Sequence, residues 1–129
     1  MKILIVDDSP LLRRSLRTFF EQELKWSVCG EAVNGRDGID KASQLRPDLI
    51  VMDLVMPSLN GIEATRMIKR LMPSIPVVMF TTFTDSFLTK EALSAGVDAV
   101  VAKIEGATTL IHSIKRLIVT ELPAPANAA

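Results

Sequence analysis

Residues 49–61 read Leu-Ile-Val-Met-Asp-Leu-Val-Met-Pro-Ser-Leu-Asn-Gly. Four apolar residues run into a lone carboxylate, Asp53, and then into a loop holding Pro57 and Asn60-Gly61. A short apolar run bounded by turn signals fits a strand buried on both faces. A carboxylate inside such a strand is costly unless something pairs with it. At the end of the strand, where the chain leaves the sheet, it can face a crevice and meet a metal, a base or a substrate. Asn60 is a preferred helix N-cap. The stretch therefore reads strand, loop, helix, which is the repeating unit of an α/β fold.

The same alternation extends in both directions. Upstream, Ile3 to Val6 forms a first strand, and Asp7-Asp8 follows it. Ser9 can cap a helix with Pro10 in its first turn. Leu12, Leu16, Phe19 and Phe20 carry that helix to about Leu24, Ser27 to Val33 reads as a second strand, and a helix then runs from Asn34-Gly35 to about Leu45. Leu49 to Met52 is the third strand. The helix after Asn60 has Ala64, Met67, Ile68 and Leu71 as its apolar stripe and stops before Pro73. Val77 to Phe80 is a fourth strand. A fourth helix starts at Asp85 or Ser86 and ends on a Gly96 cap. Ala99 to Ala102 is a fifth strand, followed by a helix with Leu110, Ile111, Ile114, Leu117 and Ile118 on one face. Five apolar strands alternating with five helices imply a three-layer, doubly wound α/β domain around a parallel sheet. It spans residues 1–120, and the Pro/Ala-rich residues 121–129 form a loose tail or the start of a linker.

Composition narrows the function. A chain of 129 residues suits one domain with a real core. It is 48% hydrophobic and 23% charged, with 15 basic and 15 acidic residues, so no net charge draws it to nucleic acid or anionic membrane. One cysteine, Cys29, cannot form an internal disulfide, which suits a reducing cytoplasm. No apolar run nears the roughly 18 residues of a membrane span, and the N-terminus opens on a strand rather than a signal peptide. The expectation is a soluble cytoplasmic domain.

Polar residues collect at the carboxyl ends of the strands: Asp7 and Asp8 after the first, Asp53 after the third, Thr81 after the fourth, Lys103 after the fifth. Open parallel sheets bind ligands outside those ends, where the strand order reverses. In the flavodoxin-like order 2-1-3-4-5, Asp7, Asp8 and Asp53 converge. Three carboxylates in one crevice repel, and a hard divalent cation relieves them; Mg²⁺ takes one or two carboxylates plus waters and phosphate. A carboxylate nucleophile, a cation, a lysine and a hydroxyl are what phosphoryl transfer to aspartate requires.

With IVDDSP, DLIVMDLVMPSLNGIEATR, PVVMFTT and SAGVDAVVAK in order, the chain resembles the receiver domain of bacterial two-component response regulators over residues 2–118. The resemblance implies that Asp53 accepts the phosphoryl group. It makes Asp8 the direct Mg²⁺ ligand, with Asp7 acting through water and the Val55 carbonyl completing the protein's share. Lys103 would bind the phosphoryl group and Thr81 would swing toward it as the switch. The phosphoryl group would come from a phosphohistidine on a sensor histidine kinase or a histidine phosphotransfer protein, docking near Leu11 and Arg13. The fourth helix, fifth strand and fifth helix would form the output face. The output is either a target of a stand-alone receiver or a fused transcription-factor domain, with homodimer formation left open. No helix-turn-helix pattern exists here, so direct contact with nucleic acid is not expected.

Plainer readings stand beside these. Asp7 and Asp8 also suit a helix N-terminus, Thr81 suits a strand by propensity, and Lys103 could be a solvated strand-end lysine. His112 reads as a surface residue. The rival function is a Mg²⁺-dependent aspartyl-phosphate phosphatase or phosphotransferase for small molecules. Such enzymes usually place a second Asp two residues after the nucleophile, where this chain has Val55. The chain also departs from the receiver pattern. Ile104 replaces the proline after the lysine, Val100 an aromatic coupled to the threonine, and Thr82 a smaller residue. Val55 and Phe83 put apolar groups at two positions flanking the site, which predicts slow loss of the phosphoryl group.

Overall fold

The computed structural model describes residues 1–121; of the tail expected at 121–129, Glu121 belongs to the last helix and residues 122–129 lie outside the described residues. Five parallel strands form one sheet: β1 (Lys2–Val6), β2 (Ser27–Ala32), β3 (Leu49–Met52), β4 (Val77–Thr81) and β5 (Ala99–Ala102). Their order is β2-β1-β3-β4-β5, the order expected. Helices α1 (Pro10–Thr18), α2 (Gly35–Leu45), α3 (Gly61–Leu71), α4 (Ser86–Ala95) and α5 (Gly106–Glu121) alternate with them.

Alternation along each strand divides the core in two. Leu4, Val6, Ile50, Met52, Val77 and Met79 point to the face holding Ile39, Ala42, Ile62, Ala64, Ile68 and Ala92 of α2, α3 and α4. Ile3, Ile5, Leu49, Val51, Val78 and Phe80 point the other way, against Leu16 of α1 and Leu110, Ile111 and Ile114 of α5. Both faces of the sheet are covered, which is why the strands inside its edge strand β2 read as almost wholly apolar runs.

Helix ends follow side-chain chemistry. Ser9, Asn34, Asn60 and Asp85 each accept a backbone N–H from the first turn of α1, α2, α3 and α4. Gly96 closes α4 at φ +108°, where a side chain would be strained.

Two boundaries and one helix face differ appreciably from expectation. The first helix does not run regularly to Leu24: α1 stops at Thr18, and Phe19–Glu23 form a π-turn. The wider turn keeps Phe20 fully buried and lets its carbonyl accept the Trp26 N–H at 3.0 Å; the Phe20 and Trp26 rings lie 5.8 Å apart. Strand β2 ends at Ala32, because the Val33 N–H turns to the Asp37 carboxylate at 3.1 Å. In α3, Met67 and Leu71 are exposed, and Gly61, Ile62, Ala64, Thr65 and Ile68 form the buried face. The stripe is rotated toward the loop, where Gly61 fits against β3.

Candidate phosphoryl-acceptor and metal site

The parallel register brings the acidic residues together. Val6 pairs with Met52 across β1 and β3, so the next residues, Asp7 and Asp53, leave the sheet side by side. The ladder continues through them, with the Asp7 N–H donating to the Ala32 carbonyl at 3.0 Å and the Asp53 N–H to that of Val6 at 2.9 Å. Thr81 pairs with Ala102, which sets Lys103 at the same edge.

The carboxylates of Asp7, Asp8 and Asp53 each place an oxygen within 4.8 Å of the other two. Asp7 and Asp53 are buried and Asp8 is exposed. One Asp7 oxygen accepts the Ser9 N–H at 2.9 Å, and one Asp53 oxygen accepts the Leu54 N–H at 2.8 Å. The Lys103 ammonium bridges their remaining oxygens, 2.9 Å from Asp7 Oδ2 and 3.3 Å from Asp53 Oδ2. Asp8 makes no hydrogen bond or ion pair among the described residues. The backbone hydrogen bonds of the β3–α3 loop do not engage Val55, whose side chain is half exposed.

Burial, reinforced by the Asp7 charge, raises the Asp53 pKa above the ordinary aspartate value; Lys103 only partly offsets this. Burial alone would depress the Lys103 pKa, but its hydrogen bond to Asp7 and the attraction of both carboxylates outweigh that and raise it. A crevice that holds one more negative charge than its lysine neutralises, with an unengaged carboxylate at its mouth, suits a hard cation with oxygen ligands. The donor set fits Mg²⁺.

Gly61 sits where no other residue fits. A Cβ there would lie 2.1 Å from the Asp53 carbonyl oxygen, and its N–H donates to the Leu54 carbonyl at 2.8 Å. The start of α3 is thus packed onto the backbone of the candidate acceptor.

Thr81 is fully buried, and its hydroxyl accepts the Phe83 N–H at 3.1 Å rather than joining the carboxylates. Leu11 is exposed, whereas the Arg13 guanidinium is occupied: it bonds Glu31 at 3.0 Å and the Asp7 carbonyl at 2.7 Å. Arg17 meets the other Glu31 oxygen at 2.8 Å. Burial works against the Glu31 charge, but the two arginines outweigh it and hold its pKa low. Sequence reading alone does not find this pair, which joins Glu31 of β2 to two arginines of α1. His112 is exposed on α5.

The family model for the response regulator receiver domain matches residues 3–115. The chain belongs to the response regulator receiver family. It is 36% identical to the response regulator protein VraR of Staphylococcus saprophyticus and 37% identical to that of Staphylococcus epidermidis, each over 116 residues. Those alignments take in 90% of this chain and 56% of the relatives, so the receiver spans a little over half the length of the curated relatives it matches. Among solved structures it is similar to a LuxR-family two-component response regulator from an Aurantimonas species (29% identity, TM-score 0.87, covering 92% of this chain and 85% of that one). It is also similar to the response regulator domain of Thermotoga maritima CheB (32% identity, TM-score 0.77, covering 94% and 92%). That family is one of two-component signalling proteins rather than of small-molecule phosphatases. Receiver domains as a family bind Mg²⁺ and pair with histidine kinases. No helix among the described residues is long and apolar enough to cross a membrane.

Proposed function

We propose that Asp53 is the phospho-acceptor of this receiver and that Asp7, Asp8, Asp53 and the Val55 carbonyl hold its Mg²⁺. The observation that carries the reading is the convergence of Asp53 with Asp7, Asp8 and Lys103 at one sheet edge. An Asp53 carboxylate oxygen attacks the phosphorus of a phosphohistidine on a sensor kinase or phosphotransfer protein. The P–N bond breaks, and the imidazole leaves with the electron pair and takes up a proton. Bound Mg²⁺ supplies positive charge to the phosphoryl oxygens. Lys103, already 3.3 Å from Asp53, holds another of those oxygens.

The phosphoryl group carries about −1.5 to −2 charges in place of the single carboxylate charge it consumes, beside a neutral hydroxyl. Thr81 then has a stronger partner than the Phe83 N–H, and its rotation frees the β4–α4 loop. The change is read on the α4–β5–α5 face through small groups such as Val100, the residue at the position where receivers often carry an aromatic. The similarity to LuxR-family regulators over nearly the whole receiver supports a transcriptional output carried outside these residues.

Intact-mass analysis after incubation with acetyl phosphate and MgCl₂ tests the acceptor. Wild type gains one phosphoryl mass and Asp53→Asn gains none. An equal gain in both places the acceptor elsewhere.

A further inference from the structure

The strand that carries the metal-binding carboxylates is tethered from outside the crevice. Arg13 lies on α1, with its side chain only 14% exposed. Its Nε donates to Glu31 Oε1 at 3.0 Å, and its Nη1 donates to the Asp7 carbonyl at 2.7 Å. That carbonyl belongs to the peptide group joining Asp7 to Asp8. A bond to it fixes the plane of the peptide and therefore the direction in which Asp8 leaves the chain. Glu31 is itself immobilised: Arg17 holds its second oxygen, and Lys41 donates to its backbone carbonyl at 2.5 Å. The guanidinium spans two acceptors with nitrogens in a rigid fork, a geometry that lysine cannot reproduce.

We infer that Arg13, anchored by Glu31, is a positioning residue for the Asp7–Asp8 carboxylate pair and sets the affinity of the site for Mg²⁺. The inference rests on the assignment of Asp7 and Asp8 as metal ligands. Groups that orient ligands from behind typically contribute 10- to 100-fold to metal affinity. Asp8 has the most to lose, because no side-chain contact of its own holds it.

The charge on Arg13 works in the opposite direction. A cation near an acidic crevice repels Mg²⁺, so removing it should strengthen binding if charge were its whole effect. The two roles can therefore be separated by calorimetric titration of the metal-free protein with MgCl₂, at low salt and again at about 0.5 M NaCl, where exposed charges are screened. Arg13→Lys keeps the charge and loses the fork; its dissociation constant should rise about tenfold. Arg13→Gln should bind no tighter than Arg13→Lys at either salt. The Asp8 amide nitrogen, part of the polarised peptide, should shift in the NMR spectrum of both variants, with Asp53 little changed. Glu31→Gln, which leaves Arg13 in place with a weaker anchor, should show a smaller weakening that persists in high salt. It keeps the test decisive should a position-13 variant fold poorly.

Arg13→Lys binding as wild type, Arg13→Gln binding more tightly than wild type, or a Glu31→Gln effect that vanishes in salt would each overturn the inference. Asp8→Asn is the control for the underlying assignment. It should abolish the titration, and if it binds Mg²⁺ like wild type the ligand assignment itself is wrong, whatever the arginine does.

Discussion

Asp53 is worth following as a single titrating group. Its folded-state pKa lies above the ordinary value of about 3.9, because burial and Asp7 disfavour the charged form. A raised pKa means that the folded protein binds this proton more tightly than the unfolded chain. The stability it gives is present below the unfolded pKa and lost as pH rises through the folded one. Asparagine imitates the protonated state at every pH. In metal-free buffer Asp53→Asn should therefore be more stable than wild type at pH 7, with the gap closing below pH ~4. Thermal melts across pH 3 to 7 check this, and a constant gap would contradict it. Lys103 carries the complementary prediction. Lys103→Met leaves Asp7 and Asp53 facing each other, which should cost about 1–3 kcal/mol, less than for a fully buried pair because the lysine is partly exposed. The same variant should bind Mg²⁺ roughly tenfold more tightly, since the competing cation is gone. Val55 and Phe83 are both about half exposed and neither can hydrogen-bond a water attacking the phosphorylated aspartate. Val55→Asn or Phe83→Glu should shorten the phosphoryl lifetime several-fold, followed as mass loss after the donor is removed; unchanged decay in both argues against the idea.

Among the elements, α3 shows how local sequence and site geometry constrain each other. Asn60 caps it by accepting the Glu63 N–H at 2.9 Å, and Gly61 lets its first turn touch the Asp53 carbonyl. Gly61→Ala should destabilise the fold by about 1–3 kcal/mol through overpacking and should slow acetyl-phosphate labelling, because the backbone that must yield is that of Asp53. Urea unfolding together with a labelling time course would register both effects. The cap and the glycine are legible in Asn60-Gly61, whereas the buried face is not. Met67 and Leu71 match a helical stripe by hydropathy alone, but contact with the β3–α3 loop rotates the helix and buries Thr65, whose hydroxyl bonds the Gly61 carbonyl at 2.7 Å. The end of α1 escaped the sequence for a similar reason. Phe19 and Phe20 fit regular helical spacing, and only the position of Trp26 makes the π-turn favourable. Periodicity reports which residues prefer burial, and tertiary contact decides how the helix is turned to achieve it.

For the whole molecule, the two-sided core was readable because four of the five strands are almost wholly apolar runs, whereas the order of the strands came with the resemblance to receivers. Asp7, Asp8, Asp53 and Lys103 were found from their places after strands β1, β3 and β5, and the register of β1 against β3 is what turns those places into a cluster. The Arg13–Glu31 tether was not readable, since it joins a helix face to an edge strand and no spacing within one element records it. A two-state switch built on this frame needs about 5.5 kcal/mol of differential stabilisation to move from 1:99 to 99:1. On the proposed assignment the phosphoryl group, the metal and the Thr81 hydroxyl meet at this one rim, so that difference would have to originate there.

The contact between Phe20 and Trp26 has a practical corollary. Trp26 is the only indole in the chain and precedes β2, so it stands at the amino-terminal edge of a sheet whose acidic cluster lies at the other. Strands of five or six residues put about 15–20 Å between them. Intrinsic fluorescence should consequently stay level as MgCl₂ is added and change sharply on unfolding. It offers a gauge of global integrity that occupancy of the acidic rim leaves undisturbed.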